Sequence, residues 1–282
     1  MQLEKLISDV APLVSLPAVC IRLNEMVNDP SCSAKDMGRV INQDVALTAR
    51  LLRIANSPMY GFTTQIDTVT RAVTVLGTEQ VRDIALATAA VKSFQGIPNT
   101  LVSMQKFWEH SIYCALCSRT LAMDCLRRQR EAVFVAGLLH DIGELVLYNR
   151  EPELSRKALE STTNGPEGIE IQNAERELFG FDHADVGGAL ANRWALPINL
   201  QECIVYHHNP GFAKEHRVEA AIVHIANSIA TLAVLDTTDV YHAPKIQPIA
   251  WELTGLEEEV IPATIASAQA QISSTQALLL GA

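Results

Sequence analysis

The amino-acid sequence predicts an all-α protein, and three observations support this fold class. Leu, Ala, Ile and Val dominate a chain that is 48% hydrophobic and only 5% aromatic, a composition that suits packed helices. No segment shows a persuasive alternation of apolar and polar residues, which a half-buried strand would need. Apolar residues instead recur at three- and four-residue steps along the chain, as they do in amphipathic helices.

Helices are predicted in the first part of the chain over residues 36–55, 66–77 and 78–94. Ser33 is the expected N-cap of the first helix and Thr78 that of the third. The segment NSPMYG (56–61) should end the first helix, because its Asn, Pro and Gly favour a turn over a helix, and Gly77 should end the second. We therefore interpret Asn56, Ser57 and Gly61 as turn residues.

The segment QGIPNT (95–100) is the clearest break in this half of the sequence. We place a domain boundary there. Residues 1–97 are predicted to form an N-terminal helical subdomain, and residues 98–282 a second helical subdomain that includes the C-terminal helices.

The second subdomain is predicted to contain helices over 101–126, 131–149, 169–180, 182–197, 199–210 and 218–235, and a tail helix from Glu257. A bend is expected near Gly143, and loops are expected at 161–168 and around Pro244 and Pro248.

Charge and hydropathy restrict the partners of this chain. The formal net charge of −10 argues against a nucleic-acid or anionic-membrane surface, because both require a positive field. The N-terminal segment MQLEKLISDV is amphipathic and lacks the pattern of a signal peptide, so a cytoplasmic location is expected. The apolar stretch 220–235 is too short and too polar to span a bilayer, and it predicts a buried helix.

Six cysteines are scattered along the chain and are expected to be reduced thiols. Cys114 and Cys117 form a C-x-x-C pair, but neither a second pair nor a strand–helix context accompanies it. Their three-residue spacing puts both on one face of a helix, so we interpret them as core residues. Trp108, Trp194 and Trp251 are likewise expected to be core or interface anchors.

Polar residues that can bind metal ions recur at or near the ends of different predicted helices: His110, His140, Asp141, His183, His207 and His208. Helices that pack around a centre can bring such residues together. Imidazole and carboxylate groups suit Fe, Mn, Ni or Zn, and one carboxylate can bridge two ions.

A purely structural interpretation stays open at this point. His140 would cap a helix C-terminus, Asp141 would cap a turn, and His207 and His208 would lie on an exposed helix end. The two adjacent histidines can face one ion only if their helix ends there, and Pro210 indicates that it does.

The order His110, HDIG (140–143), His183 and HH (207–208) resembles the HD superfamily of metal-dependent phosphohydrolases, and most of all its HD-GYP branch. The first half resembles the HDOD (HD-related output domain) family more specifically. The marks of that resemblance are the LP at 16–17, the DP at 29–30, the I-x-x-D motif ending at Asp44, LLRIANSPMYG (51–61) and the I…A…LG helix (66–77). HADVGGALANRWALP (183–197) and IVYHH (204–208) match the second half of the family, so that the resemblance covers about residues 10 to 235.

This resemblance implies a multi-helix HD-like bundle with an additional N-terminal helical subdomain, used as an output or scaffold module in bacterial signal transduction. It also implies a ligand set for one or two divalent ions: His110, His140, Asp141, His183, His207 and His208. Asp141 falls on the bridging carboxylate and would be the catalytic residue if the protein is an enzyme. Asn227 stands where HD enzymes have a final aspartate ligand.

Three departures from the enzyme pattern argue against catalysis. Asn227 lacks the negative charge of an aspartate, which should weaken the binding of at least one ion. Glu144 replaces the lysine of many HD phosphodiesterases, and HHNPGF (207–212) replaces the HHE…GYP element. The sequence therefore does not predict hydrolysis of cyclic di-GMP.

Three functions remain as alternatives. The first is a signalling module without catalysis, the second a metal-dependent phosphohydrolase acting on a nucleotide or phosphate ester, and the third a module with a structural or sensory metal. The expected partner is a signalling protein or a small-molecule ligand, with a homodimer as one candidate assembly.

No substrate-binding residue is predicted. Glu175 and Glu177 either solvate a helix face or reach the cluster, and His216, His224 and His242 are expected to lie outside it.

Overall fold

The structure is a computed structural model that describes residues 2–95, 100–126, 129–164, 170–237 and 244–281. No strand occurs within these ranges, which confirms the all-α prediction. The α-helices are α1 (Leu3–Val10), α2 (Ala18–Val27), α3 (Ala34–Ile41), α4 (Val45–Ala55), α5 (Val69–Leu76), α6 (Thr78–Phe94), α7 (Met104–Cys125), α8 (Arg130–Leu139), α9 (Ile142–Arg150), α10 (Pro152–Asn164), α11 (Ile171–Phe179), α12 (His183–Arg193), α13 (Ile198–Tyr206), α14 (Arg217–Val234), α15 (Pro248–Thr254) and α16 (Val260–Leu280), with a 3-10 helix at Pro210–Phe212.

The chain divides into two compact units, each built from two segments. We call the first the HD-like unit; it comprises Met1–Val14 and Gly96–Ile272. We call the second the N-terminal unit; it comprises Ser15–Gln95 and Ser273–Ala282. The boundary expected between residues 97 and 98 stays a prediction.

The N-terminal unit is organised around α6, whose buried residues include four alanines and leave little side-chain bulk between helices. Helices α2, α4 and α5 pack against α6, and α3 packs against α5. A Cβ at Gly38 of α3 would lie 2.6 Å from Thr70 Oγ1, so the absent side chain lets α3 approach the start of α5 closely.

Caps decide where the helices of this unit begin. Ser33 caps α3 through a reciprocal capping box with Asp36, as expected. The single helix predicted over 36–55 is wrong, because Asp44 accepts a hydrogen bond from the backbone N–H of Leu47 and starts a second helix. Thr78 is the first residue of α6 and not its cap; Gly77 takes the cap position, with a φ of 101° that favours glycine.

The HD-like unit is organised around α7, which packs against both α8 and α14. A Cβ at Gly137 would lie 2.9 Å from the Cys114 carbonyl oxygen, so the glycine permits the close α7–α8 approach. Cys114 and Cys117 are free, fully buried thiols on α7, which agrees with a core role. Helix α12 packs against α9 and α13.

Several boundaries of this unit differ from the sequence prediction. Residues 131–149 form two helices, because the chain breaks at His140 and Asp141 and not at Gly143. Pro248 is the first residue of α15, although a loop was expected there. The backbone N–H at this position has no partner within a helix, so proline is tolerated. Helix α10 continues to Asn164 into the predicted loop 161–168; the remaining residues of that loop, and residues 96–99 of the predicted break, lie outside the described residues.

Helix α14 is the one described helix that is long and apolar enough to cross a membrane by length and composition alone. Of its 18 residues, 72% are buried inside the protein, so it is a core helix of the HD-like unit, as the sequence predicts. Trp108 and Trp194 are buried as well, and Trp194 Nε1 donates a hydrogen bond of 2.8 Å to the Val14 carbonyl.

Candidate metal centre

The packing of the HD-like unit brings the six predicted residues to one place. They come from four regions: His110 from the middle of α7, His140 and Asp141 from the α8–α9 break, His183 from the start of α12, and His207 and His208 from the chain just after α13. Helix α13 ends at Tyr206, which is the condition under which adjacent histidines can serve one centre.

The Asp141 carboxylate lies at the middle of the cluster, and each of its oxygens faces two histidines. Its Oδ2 is 2.8 Å from His140 Nε2 and 3.7 Å from His110 Nε2. Its Oδ1 is 3.4 Å from the Nε2 atoms of both His183 and His207. This is the arrangement that a carboxylate bridging two cation positions requires.

Two groups of donor atoms are compact enough to hold an ion. The first group contains His110, His140 and Asp141, and the second contains His183, His207 and His208; within each, the donor atoms lie within 4.8 Å of one another. In the second group, the Nε2 atoms of His183 and His208 are 2.8 Å apart.

The ring orientation of three histidines is set by bonds to their Nδ1 atoms. His140 Nδ1 donates to the Gly137 carbonyl at 2.8 Å, and His207 Nδ1 donates to the Ile204 carbonyl at 2.7 Å. His183 Nδ1 is 2.6 Å from the buried carboxylate of Glu175, which also accepts the His183 backbone N–H. Such bonds fix the tautomer and direct Nε2 at the centre of the cluster. In metal sites, the second ring nitrogen of a histidine ligand is hydrogen-bonded in the same way.

The chemistry of this donor set fits a cation. A carbonyl oxygen can only accept, so in a neutral ring the proton is on Nδ1 and an Nε2 lone pair faces Asp141. His140 Nε2 and His207 Nε2 are both buried, and neither has a hydrogen-bond partner within the described part of the chain. Two lone pairs at the 2.8 Å separation of His140 Nε2 and Asp141 Oδ2 repel each other unless a cation lies between them.

The charges of the cluster follow from burial and from its two buried carboxylates. Burial lowers the pKa of His110 to about 4, and burial with the neighbouring His207 and His183 lowers the pKa of His208 well below its usual range. Burial also opposes charge on His140 and His183, yet the nearby carboxylates of Asp141 and Glu175 raise the pKa of both rings. The two buried carboxylates therefore favour positive charge at the centre of the cluster.

Asn227 lies at the position expected from the resemblance. Its Oδ1 is 2.9 Å from His110 Nε2, at the edge of the first donor group. The amide oxygen can accept a hydrogen bond or donate to a cation, but it adds no negative charge. The Asp141 carboxylate is therefore the one negative charge within the first donor group.

A cavity of about 420 Å³ opens beside the cluster, and His110, Asp141, His183, His208 and Asn227 form one side of it. This volume suits a small organic ligand. Glu144 also lines the cavity; burial first, and then the Asp141 charge, raise its pKa to about 8.

Several residues outside the predicted set contribute to this region. Glu175 is buried against His183, whereas Glu177 is exposed, so the two glutamates considered together in the sequence have different roles. His224 was expected to lie outside the site, yet it lines the cavity, and its Nδ1 donates to the His207 carbonyl at 2.7 Å. His224 belongs to neither donor group, and its position on an apolar helix carries no sign of these two contacts. His216 pairs with Glu219 away from the cluster, and His242 lies outside the described residues.

This fold is that of an HD-like multi-helix bundle, and sequence comparison identifies the family. The HDOD domain family matches residues 13–210, and the chain belongs to it.

Related proteins extend the comparison. An uncharacterized protein of Treponema pallidum (strain Nichols) is 26% identical over 241 residues, which cover 83% of this chain and 46% of that protein; the chain thus spans about half the length of this relative. A solved HDOD domain protein of unknown function from Geobacter sulfurreducens shares 26% identity at a TM-score of 0.76, covering 98% of both chains. A candidate phosphohydrolase from Shewanella amazonensis SB2B has the same fold, with 24% identity, a TM-score of 0.74 and 97% coverage of both chains.

Proposed function

We propose that the protein is a signalling output or scaffold module in which the HD-like unit holds a divalent metal ion in a structural or sensory role. One observation carries this proposal: two buried histidine nitrogens, His140 Nε2 and His207 Nε2, face the Asp141 carboxylate and lack hydrogen-bond partners within the described residues. Unpaired buried acceptors cost free energy, and a cation removes that cost.

The residues of the second donor group would hold the ion: His183, His207 and His208, with Oδ1 of Asp141 as the fourth ligand. Three imidazoles and a carboxylate suit Fe, Mn, Ni or Zn. A second ion at His110, His140 and Asp141 Oδ2 would bind more weakly, because Asn227 adds no charge there.

An ion at this place would join three segments that are distant in sequence. Its ligands come from the α8–α9 break, the start of α12 and the end of α13, and Glu175 of α11 supports His183. Binding would stabilise the arrangement of these helices, and its loss would change that arrangement. A signalling protein or a small molecule that senses this change would be the partner; a cytoplasmic location and a homodimer are part of the same proposal.

The test is elemental analysis of tag-free protein prepared without chelators, for the wild type, Asp141→Ala and His216→Ala. We expect one equivalent of metal or more in the wild type and in His216→Ala, because His216 pairs with Glu219 outside the cluster. Asp141→Ala should lose the metal. Equal metal content in Asp141→Ala and the wild type, or none in either, would contradict the proposal.

A second candidate is a metal-dependent phosphohydrolase, and the cavity of about 420 Å³ beside Asp141 favours it. A bound ion would activate water and neutralise a phosphoryl oxygen. Asp141 would then be the catalytic carboxylate, His183 would be oriented by Glu175, and the buried setting would limit access of bulk water. Turnover of phosphate monoesters or diesters by the wild type, abolished in His140→Ala, would establish this activity; no turnover by metal-loaded protein would leave the non-catalytic module.

A further inference from the structure

One short segment after α14 forms part of the cavity lining. We call residues 244–247 the strap; Pro244, Lys245 and Gln247 all line the cavity. Among the described residues that line it, Lys245 is the one lysine or arginine, and the other formally charged side chains are carboxylates.

Hydrogen bonds fix both ends of the strap. At one end, Ser228 Oγ of α14 donates to the Pro244 carbonyl at 2.9 Å. At the other, the Gln247 backbone N–H donates to His224 Nε2 at 3.0 Å, and its side-chain amide donates to the His208 carbonyl at 2.8 Å and to Asn209 Oδ1 at 3.0 Å. The backbone that carries Lys245 is therefore held in a defined position at the cavity.

His224 joins the strap to the candidate metal ligands. Its Nδ1 donates to the His207 carbonyl at 2.7 Å, and its Nε2 accepts from the strap at Gln247. Since Gln247 also holds the His208 carbonyl, the backbone of both adjacent histidines is tied to the strap. The position of the Lys245 backbone is therefore coupled to the positions of His207 and His208.

We propose that Lys245 is the specificity-determining residue of this cavity and recognises the negative charge of a phosphate-bearing small ligand. The inference rests on the proposed metal centre, because the carboxylates of Asp141 and Glu170 also line the cavity and would repel an anion without a nearby ion. Glu144 stands where related phosphodiesterases have a lysine, and Lys245 supplies a cation from another part of the fold.

The test measures binding of inorganic phosphate by titration calorimetry to protein with and without added Mn²⁺, with metal content determined on the same samples. The variants are Lys245→Gln, Lys245→Arg and Lys214→Gln. Lys214 is an exposed residue of the same unit that does not line the cavity, so its substitution removes the same charge elsewhere.

We expect phosphate to bind the metal-loaded wild type and Lys214→Gln within about two-fold of each other, and to bind Lys245→Gln about ten-fold or more weakly, because a charged hydrogen bond is lost. Lys245→Arg should restore most of the affinity, and metal content should not change in any variant. Two outcomes overturn this inference but leave the metal centre intact. In the first, metal binds but the phosphate affinity does not depend on Lys245; in the second, metal binds but phosphate does not. Phosphate binding that depends on Lys245 in metal-free protein upholds the role of Lys245 and contradicts its dependence on the metal centre; no metal and no phosphate overturns both.

Discussion

His140 and His207 lie at the ends of different helices and are held in the same way. Each donates its Nδ1 proton to the carbonyl three residues earlier, Gly137 for His140 and Ile204 for His207. The two rings meet at an interplanar angle of 90° with centroids 5.0 Å apart. Because a helix end leaves its last carbonyls without partners, each ring satisfies its own helix while it presents Nε2 to Asp141.

The Glu175 carboxylate should control the metal affinity of His183. Glu175→Gln keeps the shape of the side chain but removes the charge that the buried His183 Nδ1–H faces at 2.6 Å. We expect metal affinity to fall by about 10- to 100-fold, as for other partners that orient metal-binding histidines. Competition with a chromophoric chelator measures it.

Glu177→Gln is the matched control for this experiment, because Glu177 is exposed on the same helix two residues away. Its affinity should equal that of the wild type. The same loss in both variants would show that general charge, and not the bond to His183, sets the affinity.

Asn227→Asp should strengthen the first donor group. The substitution places a carboxylate where an amide oxygen lies 2.9 Å from His110 Nε2. An added negative charge favours a divalent ion, so we expect the metal content to rise by up to one equivalent in elemental analysis. Asn173→Asp, at an exposed position of α11, is the control and should leave the metal content unchanged.

Chelation should destabilise the HD-like unit. If the ion joins the ends of α8, α12 and α13, its removal should lower the melting temperature of the wild type by several degrees in differential scanning calorimetry. Asp141→Ala, which lacks the central carboxylate, should melt at the same temperature with and without chelator. A wild-type melting curve that does not change would count against a structural ion.

Gly143→Ala should destabilise the protein by forcing two packed helices apart. A Cβ at this position would overlap the His183 carbonyl and lie 2.7 Å from Gly187 N, so α9 and α12 would have to separate. We expect a loss of about 1 to 3 kcal/mol in the free energy of unfolding, measured in urea. Gly211→Ala is the control, since its Cβ would meet only Ile249 atoms at 3.7 Å, an ordinary contact.

Asn56→Ala should destabilise the N-terminal unit. The Asn56 side chain donates to the Leu52 and Ile66 carbonyls, both at 2.8 Å, and accepts from the Ile66 N–H at 2.7 Å. Losing these three bonds should cost about 1 to 3 kcal/mol in urea unfolding. Gln43→Ala, at an exposed position, should cost nothing measurable, and equal stability of the two variants would reject a structural role for Asn56.

Some helix boundaries can be predicted from the local sequence alone. Ser33 and Gly77 were recognisable as helix boundaries because a cap acts through its own backbone neighbourhood. The continuous apolar pattern over 36–55 hid the start of α4, although Asp44 is a good cap, because both helices bury the same kind of residue. The α8–α9 break was hidden for the same reason, since residues on both sides of His140 are buried.

By itself, the sequence determined the all-α class, most helix positions and a set of six residues able to bind a metal. Each of these follows from residue type and spacing within one segment, or from the order of motifs along the chain. Only the tertiary structure decided that each Asp141 oxygen faces two histidines, that Glu175 supports His183, and that His224 connects His207 to the strap. The physical reason is that these relations are distances between segments far apart in sequence, and they are set by the packing of helices at close-approach positions such as Gly137 and Gly143.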